Sequence, residues 1–222
     1  MFKTLLDKKE FAHSVSKVVC VGRNYADHAK ELNNPIPTSP ILFIKPASSV
    51  VEFSAFSIPE DQGSVHHELE IAILIGKTLS NADTQQVRDA LVGVGLGLDL
   101  TLRDVQAKLK EKGHPWERAK AFDGACPLSE FVTVDNSVDW KNIGLVLNKN
   151  GQLQQQGNSA DMLFPVVELI AHMSESFTLN AGDIILTGTP AGVGPIEAGD
   201  QLTAELFVAD QRILNLSAQV NS

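Results

Sequence analysis

The chain has 222 residues, of which 43% are hydrophobic, and it carries a formal net charge of −9 at pH 7. This length and apolar content predict one globular domain, spanning residues 1–222, with a sizeable core. The negative charge and the lack of any cluster of lysine and arginine exclude a nucleic-acid-binding protein, because phosphate binding requires a basic surface.

The sequence also predicts a protein without a membrane partner. The longest uncharged apolar stretches, at 71–76 and 91–98, are far shorter than the ~20 residues that a membrane-spanning helix requires. The N-terminal segment mixes charges among its apolar residues and does not resemble a secretory signal. We therefore expect a cytoplasmic location. Cys20 and Cys126 lack metal-binding or disulfide spacing, so we expect two reduced, buried thiols.

Short apolar runs bounded by turn residues predict a β-rich α+β fold. The predicted strands are KVVCVG (17–22), ILFIKP (41–46), LEIAILIG (69–76), GLVLN (144–148), DIILTGTP (183–190) and QLTAELFV (201–208). Helical periodicity is confined to four peripheral segments, at 25–32, 84–91, 102–112 and 165–173. The pair Asn150-Gly151 is typical of a type I′ turn, so part of the sheet is expected to be antiparallel.

The first candidate for chemistry follows the first predicted strand. In GRNYADHAKE, His28 and Glu31 are three residues apart on a probable short helix and can share a hydrogen bond. A carboxylate that holds one imidazole nitrogen makes the other nitrogen a better base, which is the usual arrangement for activating water. The spacing fits an exposed helical pair equally well.

Two carboxylates stand where HHELE leads into the apolar run IAILIG. Glu68 and Glu70 are two apart on a predicted strand, so they point to the same face. Like charges in one small volume repel each other unless a proton or a cation intervenes, and a hard divalent cation is the usual partner. A solvated strand face is the alternative that this spacing leaves open.

A third carboxylate, Asp99, follows the apolar run GVGLGL and precedes a predicted helix. If that helix extends back to Asp99, then Arg103 and Gln106 lie on the same helical face and present an acid, a cation and an amide together. Alternatively, Asp99 caps the helix and forms a surface ion pair with Arg103.

Two further candidates lie near turns. Lys120 stands in ERAKAFDG, and Thr189 stands in LTGTPAGVG, where a strand enters a glycine-rich turn whose backbone N–H groups can face an anion. The sequence lacks a phosphate loop and a dinucleotide fingerprint, and it contains no nucleophile elbow of the serine hydrolase type. These absences disfavour nucleotide cofactors and serine-based hydrolysis.

Several motifs, taken in order, resemble the fumarylacetoacetate hydrolase family. They are VGRNYADHAKE, ILFIKP, HHELEIAILIGK, LDLTLRDVQ, GHPWERAKAFDGACPLS and GDIILTGTPAGVGP. The resemblance runs from about residue 17 to the end and is closest to the short, single-domain branch that contains acylpyruvate hydrolases and oxaloacetate decarboxylases. It implies a mixed β-roll or barrel with flanking helices, and a homodimer.

The resemblance also implies roles for the candidate residues. The family's ligands for Mg²⁺ or Mn²⁺ match Glu68, Glu70 and Asp99. Its catalytic pair matches His28 and Glu31, with Lys120 expected to face a developing enolate. Its substrate-binding positions match Arg23, Arg103, Gln106 and Thr189. The larger relatives have an additional N-terminal domain with another metal-site aspartate, which this chain is too short to contain.

The expected activity is metal-dependent hydrolysis of a C–C bond in an acylpyruvate, a small anionic 2-oxo acid, giving pyruvate and a carboxylic acid. The same site is suited to decarboxylation or enol–keto tautomerisation of oxaloacetate, in which a metal chelate accepts the electrons. Two alternative functions outside this class of enzyme remain. One is an iron oxygenase that uses His66 or His67 with Glu70, and the other is a protein that binds a 2-oxo acid without catalysis.

Overall fold

The structure is a computed structural model that describes residues 2–222. Its strands are β1 (Leu5–Leu6), β2 (Lys9–Glu10), β3 (Lys17–Gly22), β4 (Ile41–Pro46), β5 (Val50–Glu52), β6 (Ala55–Ser57), β7 (Val65–His67), β8 (Leu69–Ile75), β9 (Leu91–Leu98), β10 (Thr101–Leu102), β11 (Cys126–Leu128), β12 (Val132–Thr133), β13 (Ile143–Lys149), β14 (Gln152–Asn158), β15 (Ile184–Leu186), β16 (Gly194–Ile196), β17 (Gln201–Val208) and β18 (Gln211–Asn221). Its α-helices are α1 (Ala26–Glu31), α2 (Thr84–Arg88), α3 (Arg103–Glu111), α4 (Glu117–Lys120) and α5 (Val166–Ser176). Two single 3₁₀ turns span Ala47–Ser49 and Ser159–Asp161.

The strands form mixed sheets. The largest sheet has the order β4-β3-β15-β8-β9-β11-β5, with β12 also paired to β9. Within it, β3 and β15 are parallel, as are β5 and β11, and the remaining pairs are antiparallel. A second sheet has the order β14-β13-β17-β18-β6, and a small one has the order β10-β7-β16. The predicted fold class, a β-rich α+β fold with mixed sheets and peripheral helices, is confirmed.

Strand β8 shows why its sequence is apolar without interruption. Ile71, Ile73 and Ile75 point to one face and pack in the core that includes the second sheet and α5. Ala72 and Leu74 point to the opposite face and pack in a separate core. Both faces of the strand are therefore buried, and the usual alternation of apolar and polar residues is lost.

Most of the predicted elements are present with small boundary shifts. All six predicted strands form, although the one expected at 183–190 is limited to β15. The predicted turn at Asn150 and Gly151 joins β13 to β14, and its φ angles of 52° and 77° are both positive, as a type I′ turn requires. Cys20 and Cys126 are buried and free, as predicted. No helix within residues 2–222 is long and apolar enough to cross a membrane.

Three expectations about the elements were wrong or incomplete. The helix expected at 84–91 ends at Arg88, because residues from Leu91 onward pair with β8 as strand β9. Helix α3 begins at Arg103 and does not extend back to Asp99. The longest strand, β18, was not predicted, since its sequence is mostly polar on its exposed face.

The glycines of β9 explain why that strand was missed. Glycine is depleted in strands because it has no side chain to pack. In β9 the missing side chains make room for a neighbouring segment. A Cβ atom at Gly95 would lie 2.8 Å from Ser129 Oγ and 2.9 Å from the carbonyl oxygen of Glu130. Packing of residues 129–130 against this strand therefore requires glycine.

We expect Gly95→Ala to lower the free energy of unfolding by about 1–3 kcal/mol, because the new methyl group overpacks a rigid backbone contact. The measurement is urea denaturation followed by circular dichroism. Gly144→Ala on β13 is the matched control. A Cβ there meets Phe207 Cβ at an ordinary 3.5 Å, so its effect should stay within about 0.5 kcal/mol. Equal stability of the two variants would contradict this packing argument.

Candidate active site

One pocket brings together nine of the ten side chains that the sequence singled out. These nine are Arg23, His28, Glu68, Glu70, Asp99, Arg103, Gln106, Lys120 and Thr189. The tenth, Glu31, contacts His28 on α1. The pocket is also lined by residues that the sequence analysis did not propose, namely Val21, Gly22, Leu32, Asn34, Phe43, Lys110 and Trp116.

The antiparallel pairing of β8 with β9 places the three carboxylates together. Leu69 pairs with Leu98 in antiparallel register, so Glu68 and Asp99 lie opposite each other just beyond the paired ends. The backbone N–H of Asp99 donates to the carbonyl oxygen of Glu68 at 2.8 Å and extends the ladder by one step. Side chains that lie opposite each other in such a pair point to the same face. Glu70, two residues further along, shares that face.

The three carboxylates are buried and offer oxygen atoms that all lie within 4.8 Å of one another. Glu68 is held by two cations, with Lys120 Nζ at 2.8 Å and Arg103 Nη2 at 2.5 Å. Burial alone would raise the pKa of Glu68, but the charges of Lys120 and Arg103 outweigh it and hold that pKa well below its usual range. Glu68 is therefore ionised at neutral pH.

Glu70 has a different environment. Its Oε2 accepts a hydrogen bond of 2.5 Å from the backbone N–H of Gly188, and no lysine or arginine pairs with it among residues 2–222. Burial and then repulsion from Asp99 raise the pKa of Glu70 well above its usual value. The described residues therefore provide no positively charged partner for the carboxyl group of Glu70.

A buried lysine that the sequence analysis missed lies behind Asp99. The Lys45 ammonium is 2.8 Å from Asp99 Oδ1, at an angle too poor for a hydrogen bond, and it donates to the carbonyl oxygens of Lys120 and Ala125. The signal was available, because a lysine inside the apolar run ILFIKP must find a partner if that strand is buried. Lys45 is fully buried.

Lys120 stands between two of the carboxylates. Its ammonium donates to Glu68 Oε2 at 2.8 Å, Asp99 Oδ2 at 2.5 Å and Thr101 Oγ1 at 2.7 Å. These contacts engage all three of its hydrogens. Burial would lower the pKa of Lys120, but Asp99 and Glu68 raise it above its usual value. In this arrangement Lys120 compensates the charge of the carboxylates.

These residues fit a hard divalent cation. Three carboxylates provide oxygen ligands of the kind that Mg²⁺ and Mn²⁺ prefer. One observation points to a missing positive charge, since Glu70 has no cationic partner among residues 2–222. The protein's own lysines and arginine neutralise the cluster only on the side of Glu68 and Asp99.

The iron oxygenase reading is not supported. Within the described chain, the cluster suited to a metal contains three carboxylates and no histidine. His66 Nδ1 instead lies 3.4 Å from Arg103 Nε, and His67 Nδ1 lies 3.0 Å from Gln155 Oε1. Burial lowers the pKa of both imidazoles, that of His66 to about 4, with the nearby Arg103 charge adding to the effect there.

The His28 and Glu31 pair is held against the pocket by the glycine-rich turn. His28 is buried, so the alternative of an exposed pair is wrong for it, and its Nδ1 lies 3.4 Å from Glu31 Oε2. Glu31 also accepts hydrogen bonds from the backbone N–H of Gly192 at 3.0 and 3.2 Å. Gly192 has a φ of 97°, and a Cβ there would lie 2.0 Å from the Gln154 carbonyl oxygen. Only glycine fits this position.

The same turn carries Thr189, whose hydroxyl is fixed by its neighbours. Thr189 Oγ1 donates to the Leu69 carbonyl at 2.8 Å and accepts from Gln155 Nε2 at 2.7 Å. Gln155 Oε1 accepts from the Leu69 N–H, and its Nε2 also donates to the Pro190 carbonyl. Gln155 was missed because a glutamine within QLQQQG has no local feature that marks it as buried.

The predicted helical face of Asp99, Arg103 and Gln106 was wrong in its geometry. Asp99 lies outside α3 and does not cap it, since the residue at the N-cap is Leu102. Arg103 and Gln106 do share a face, and Arg103 Nη1 donates to Gln106 Oε1 at 2.7 Å. Asp99 reaches the same pocket through the β8–β9 register rather than through the helix.

The fold and the site define this protein by family. The family described as fumarylacetoacetate (FAA) hydrolase C-terminal matches residues 17–221. The chain belongs to the fumarylacetoacetate hydrolase family, and it is an enzyme of the short branch that the motifs resemble.

Three relatives illustrate the branch. The oxaloacetate tautomerase YcgM of Escherichia coli is 54% identical over 193 residues, which cover 86% of this chain and 88% of that protein. The mitochondrial oxaloacetate decarboxylase of Dictyostelium discoideum is 43% identical over 192 residues, with the same coverage of 86% and 88%. The crystal structure of fumarylpyruvate hydrolase from Pseudomonas aeruginosa with Mn²⁺ and pyruvate is 31% identical, with a TM-score of 0.88, and the match covers 99% of this chain and 95% of that one.

We expect Glu70→Gln to weaken Mn²⁺ binding by at least about 100-fold. Loss of a residue that only hydrogen-bonds to a metal ligand weakens metal affinity by about 10- to 100-fold, and loss of the ligand itself should weaken it more. The measurement is Mn²⁺ titration followed by electron paramagnetic resonance of the free ion. Glu60→Gln, at an exposed position, is the matched control and should bind like the wild type. Unchanged binding by Glu70→Gln would show that the cation sits elsewhere.

Proposed function

We propose that this enzyme catalyses the enol–keto tautomerisation of oxaloacetate at a divalent metal ion held by Glu68, Glu70 and Asp99. The observation that carries the proposal is that a buried His28, backed by Glu31, lines the same pocket as the three carboxylates. Two relatives named for oxaloacetate chemistry, at 54% and 43% identity, support this substrate.

The carboxylate cluster provides the means to stabilise negative charge. A Mg²⁺ or Mn²⁺ ion bound there would act as a Lewis acid toward the oxygen at C2 of the substrate, which carries negative charge in an enolate. Arg103 and Lys120 hold Glu68 by charged hydrogen bonds at 2.5 and 2.8 Å. These contacts fix the position of Glu68, a proposed metal ligand, before substrate binds. A group that is already in position is the condition for efficient electrostatic stabilisation.

His28 is the group that we assign to proton transfer. In the enol-to-keto direction the oxygen at C2 loses a proton and C3 gains one, while no bond between heavier atoms forms or breaks. Glu31 faces Nδ1 of His28, which leaves Nε2 to take the proton from the oxygen at C2 and then deliver it to C3. Gly192 orients Glu31 through its backbone N–H, so the imidazole keeps one orientation through the cycle.

Decarboxylation of oxaloacetate is the second candidate, favoured by the relative from Dictyostelium discoideum that is named for it. It uses the same stabilisation of an enolate but needs no proton transfer before CO₂ leaves. Acylpyruvate hydrolysis, the main expectation from the sequence, has weaker support. It rests on the fumarylpyruvate hydrolase at 31% identity, which holds Mn²⁺ and pyruvate in its crystal structure.

Other properties remain proposals that rest on the family resemblance or the sequence alone. We infer that Mg²⁺ and Mn²⁺ both support activity, since carboxylate ligands accept either ion. We also propose that the enzyme is a homodimer of single-domain subunits in the cytoplasm. The substrate in each reading is a small anionic 2-oxo acid.

The test supplies the enol form of oxaloacetate and follows enol loss, keto formation and pyruvate release separately, with and without Mg²⁺. We expect the wild-type enzyme with Mg²⁺ to convert enol to keto faster than buffer does and to release little pyruvate. Pyruvate formed as fast as enol is lost would identify the decarboxylase instead. No acceleration, together with pyruvate release from an acylpyruvate, would restore the hydrolase reading.

We expect His28→Ala to lower the tautomerase kcat by about 100-fold or more, the usual contribution of a positioned acid–base group. The control is His172→Ala on α5. His172 forms a similar pair with Glu175, at 3.3 Å, but is partly exposed and is not among the residues that line the pocket. The His172 variant should turn over like the wild type. A His28 variant with near wild-type kcat would remove the imidazole from the mechanism.

A further inference from the structure

Two cations that the proposed chemistry does not use line the same pocket. They are Arg23, which follows β3, and Lys110, near the end of α3. Arg23 is half-buried and Lys110 is exposed. Among residues 2–222, neither pairs with a carboxylate, although Lys45, Lys120 and Arg103 do. Unpaired cations on one pocket wall are an arrangement that favours binding of an anion.

Arg23 has a backbone conformation that is energetically unfavourable for a residue with a side chain. Its φ is 63°, in the left-handed region that a residue with a side chain adopts only at some cost in energy. It connects β3 to α1, the helix that carries His28. The guanidinium is partly exposed and makes no hydrogen bond within the described chain. Its planar set of N–H donors is suited to a carboxylate.

Lys110 is kept close to Arg23 despite the repulsion between them. Its ammonium donates to Asn34 Oδ1 at 2.9 Å, a neutral partner from the loop that follows α1. Burial lowers the pKa of Lys110, and the charges of Arg23 and Arg103 lower it further. All three cations line this one pocket. Such crowding of like charges is unfavourable until an anion binds between them.

We propose that Arg23 and Lys110 form a subsite for the second carboxylate, at C4, of a four-carbon 2-oxo dicarboxylic acid. The inference rests on the proposed function, in which the metal site takes the 2-oxo acid end of the same molecule. The C4 carboxylate of the substrate then lies at the mouth of the pocket, beside Arg23 and Lys110. Lys110 then acts as a specificity-determining residue that separates oxaloacetate from 2-oxo acids with an uncharged tail.

The subsite has a chemical consequence for the reaction at C3. Decarboxylation breaks the C3–C4 bond, moves its electron pair to C3 and the oxygen at C2, and releases C4 as neutral CO₂. The negative charge thus leaves the C4 carboxylate in the transition state. Arg23 and Lys110 stabilise that charge most in the bound substrate, so they oppose decarboxylation. Tautomerisation leaves the C4 carboxylate charged and is not opposed.

The first test compares oxaloacetate with 2-oxobutyrate, in which a methyl group replaces the C4 carboxylate. Binding is measured at saturating Mg²⁺ by tryptophan fluorescence immediately after mixing, since Trp116 lines the pocket. We expect Lys110→Met to raise the Kd for oxaloacetate by about tenfold or more, because a charged hydrogen-bond partner is lost. The Kd for 2-oxobutyrate should change by less than about twofold. Lys110→Arg, which keeps the charge, should retain the preference for oxaloacetate.

Two controls separate the subsite from a structural role for Lys110. Lys108→Met changes an exposed lysine of the same helix that lies outside this pocket, and it should leave both Kd values unchanged. Asn34→Ala removes the side-chain partner that Lys110 has among residues 2–222 but keeps the charge of Lys110. If Lys110 serves only to hold the loop at Asn34, the Asn34 variant will lose the preference as Lys110→Met does, and the proposal is overturned.

The second readout is the fraction of oxaloacetate released as pyruvate. Lys110→Met should raise this fraction above that of the wild type, whereas a merely structural defect would lower both reactions together. An unchanged fraction and an unchanged ratio of Kd values would overturn the subsite. If the wild type binds oxaloacetate with a Lys110-dependent preference but does not tautomerise it, the proposed function fails while the subsite stands.

Discussion

Repulsion among three buried carboxylates is the constraint on which the site depends. Lys45, Lys120 and Arg103 pair with Glu68 and Asp99, and no lysine or arginine among residues 2–222 pairs with Glu70. Taking charges out of water is costly unless they are paired, so the cluster persists only because the fold holds the cations rigidly around it. Lys45 is fully buried, and its ammonium lies 2.8 Å from Asp99 Oδ1.

Two short pieces of backbone connect this cluster to the rest of the pocket. The antiparallel register of β8 and β9 sets Asp99 opposite Glu68. The turn after β15 contacts both halves of the proposed machinery, since Gly188 donates to the metal-site carboxylate Glu70 and Gly192 donates to Glu31 behind the histidine. A displacement of this turn would disturb the metal site and the proton-transfer group together, which explains its glycine-rich sequence.

Local pattern predicted the parts of the site that lie close in sequence. The spacing of two residues between Glu68 and Glu70 places both on one strand face whatever the tertiary structure. Local pattern singled out Asp99 but not its place opposite Glu68, because that place follows from pairing between strands and not from the helix after Asp99. The glycines that make β9 weak as a predicted strand are required by contacts with residues distant in sequence. The family resemblance identified the positions, but the roles of Lys45 and Lys110 depend on their neighbours in space.

The central claim is that Glu68, Glu70 and Asp99 form one divalent metal centre. The most direct measurement is an anomalous difference map from crystals of the enzyme soaked in Mn²⁺. The account predicts a single strong peak in the pocket, within coordination distance of an oxygen of each of the three carboxylates. A peak at His66 or His67, or no peak in the pocket at saturating Mn²⁺, would contradict it.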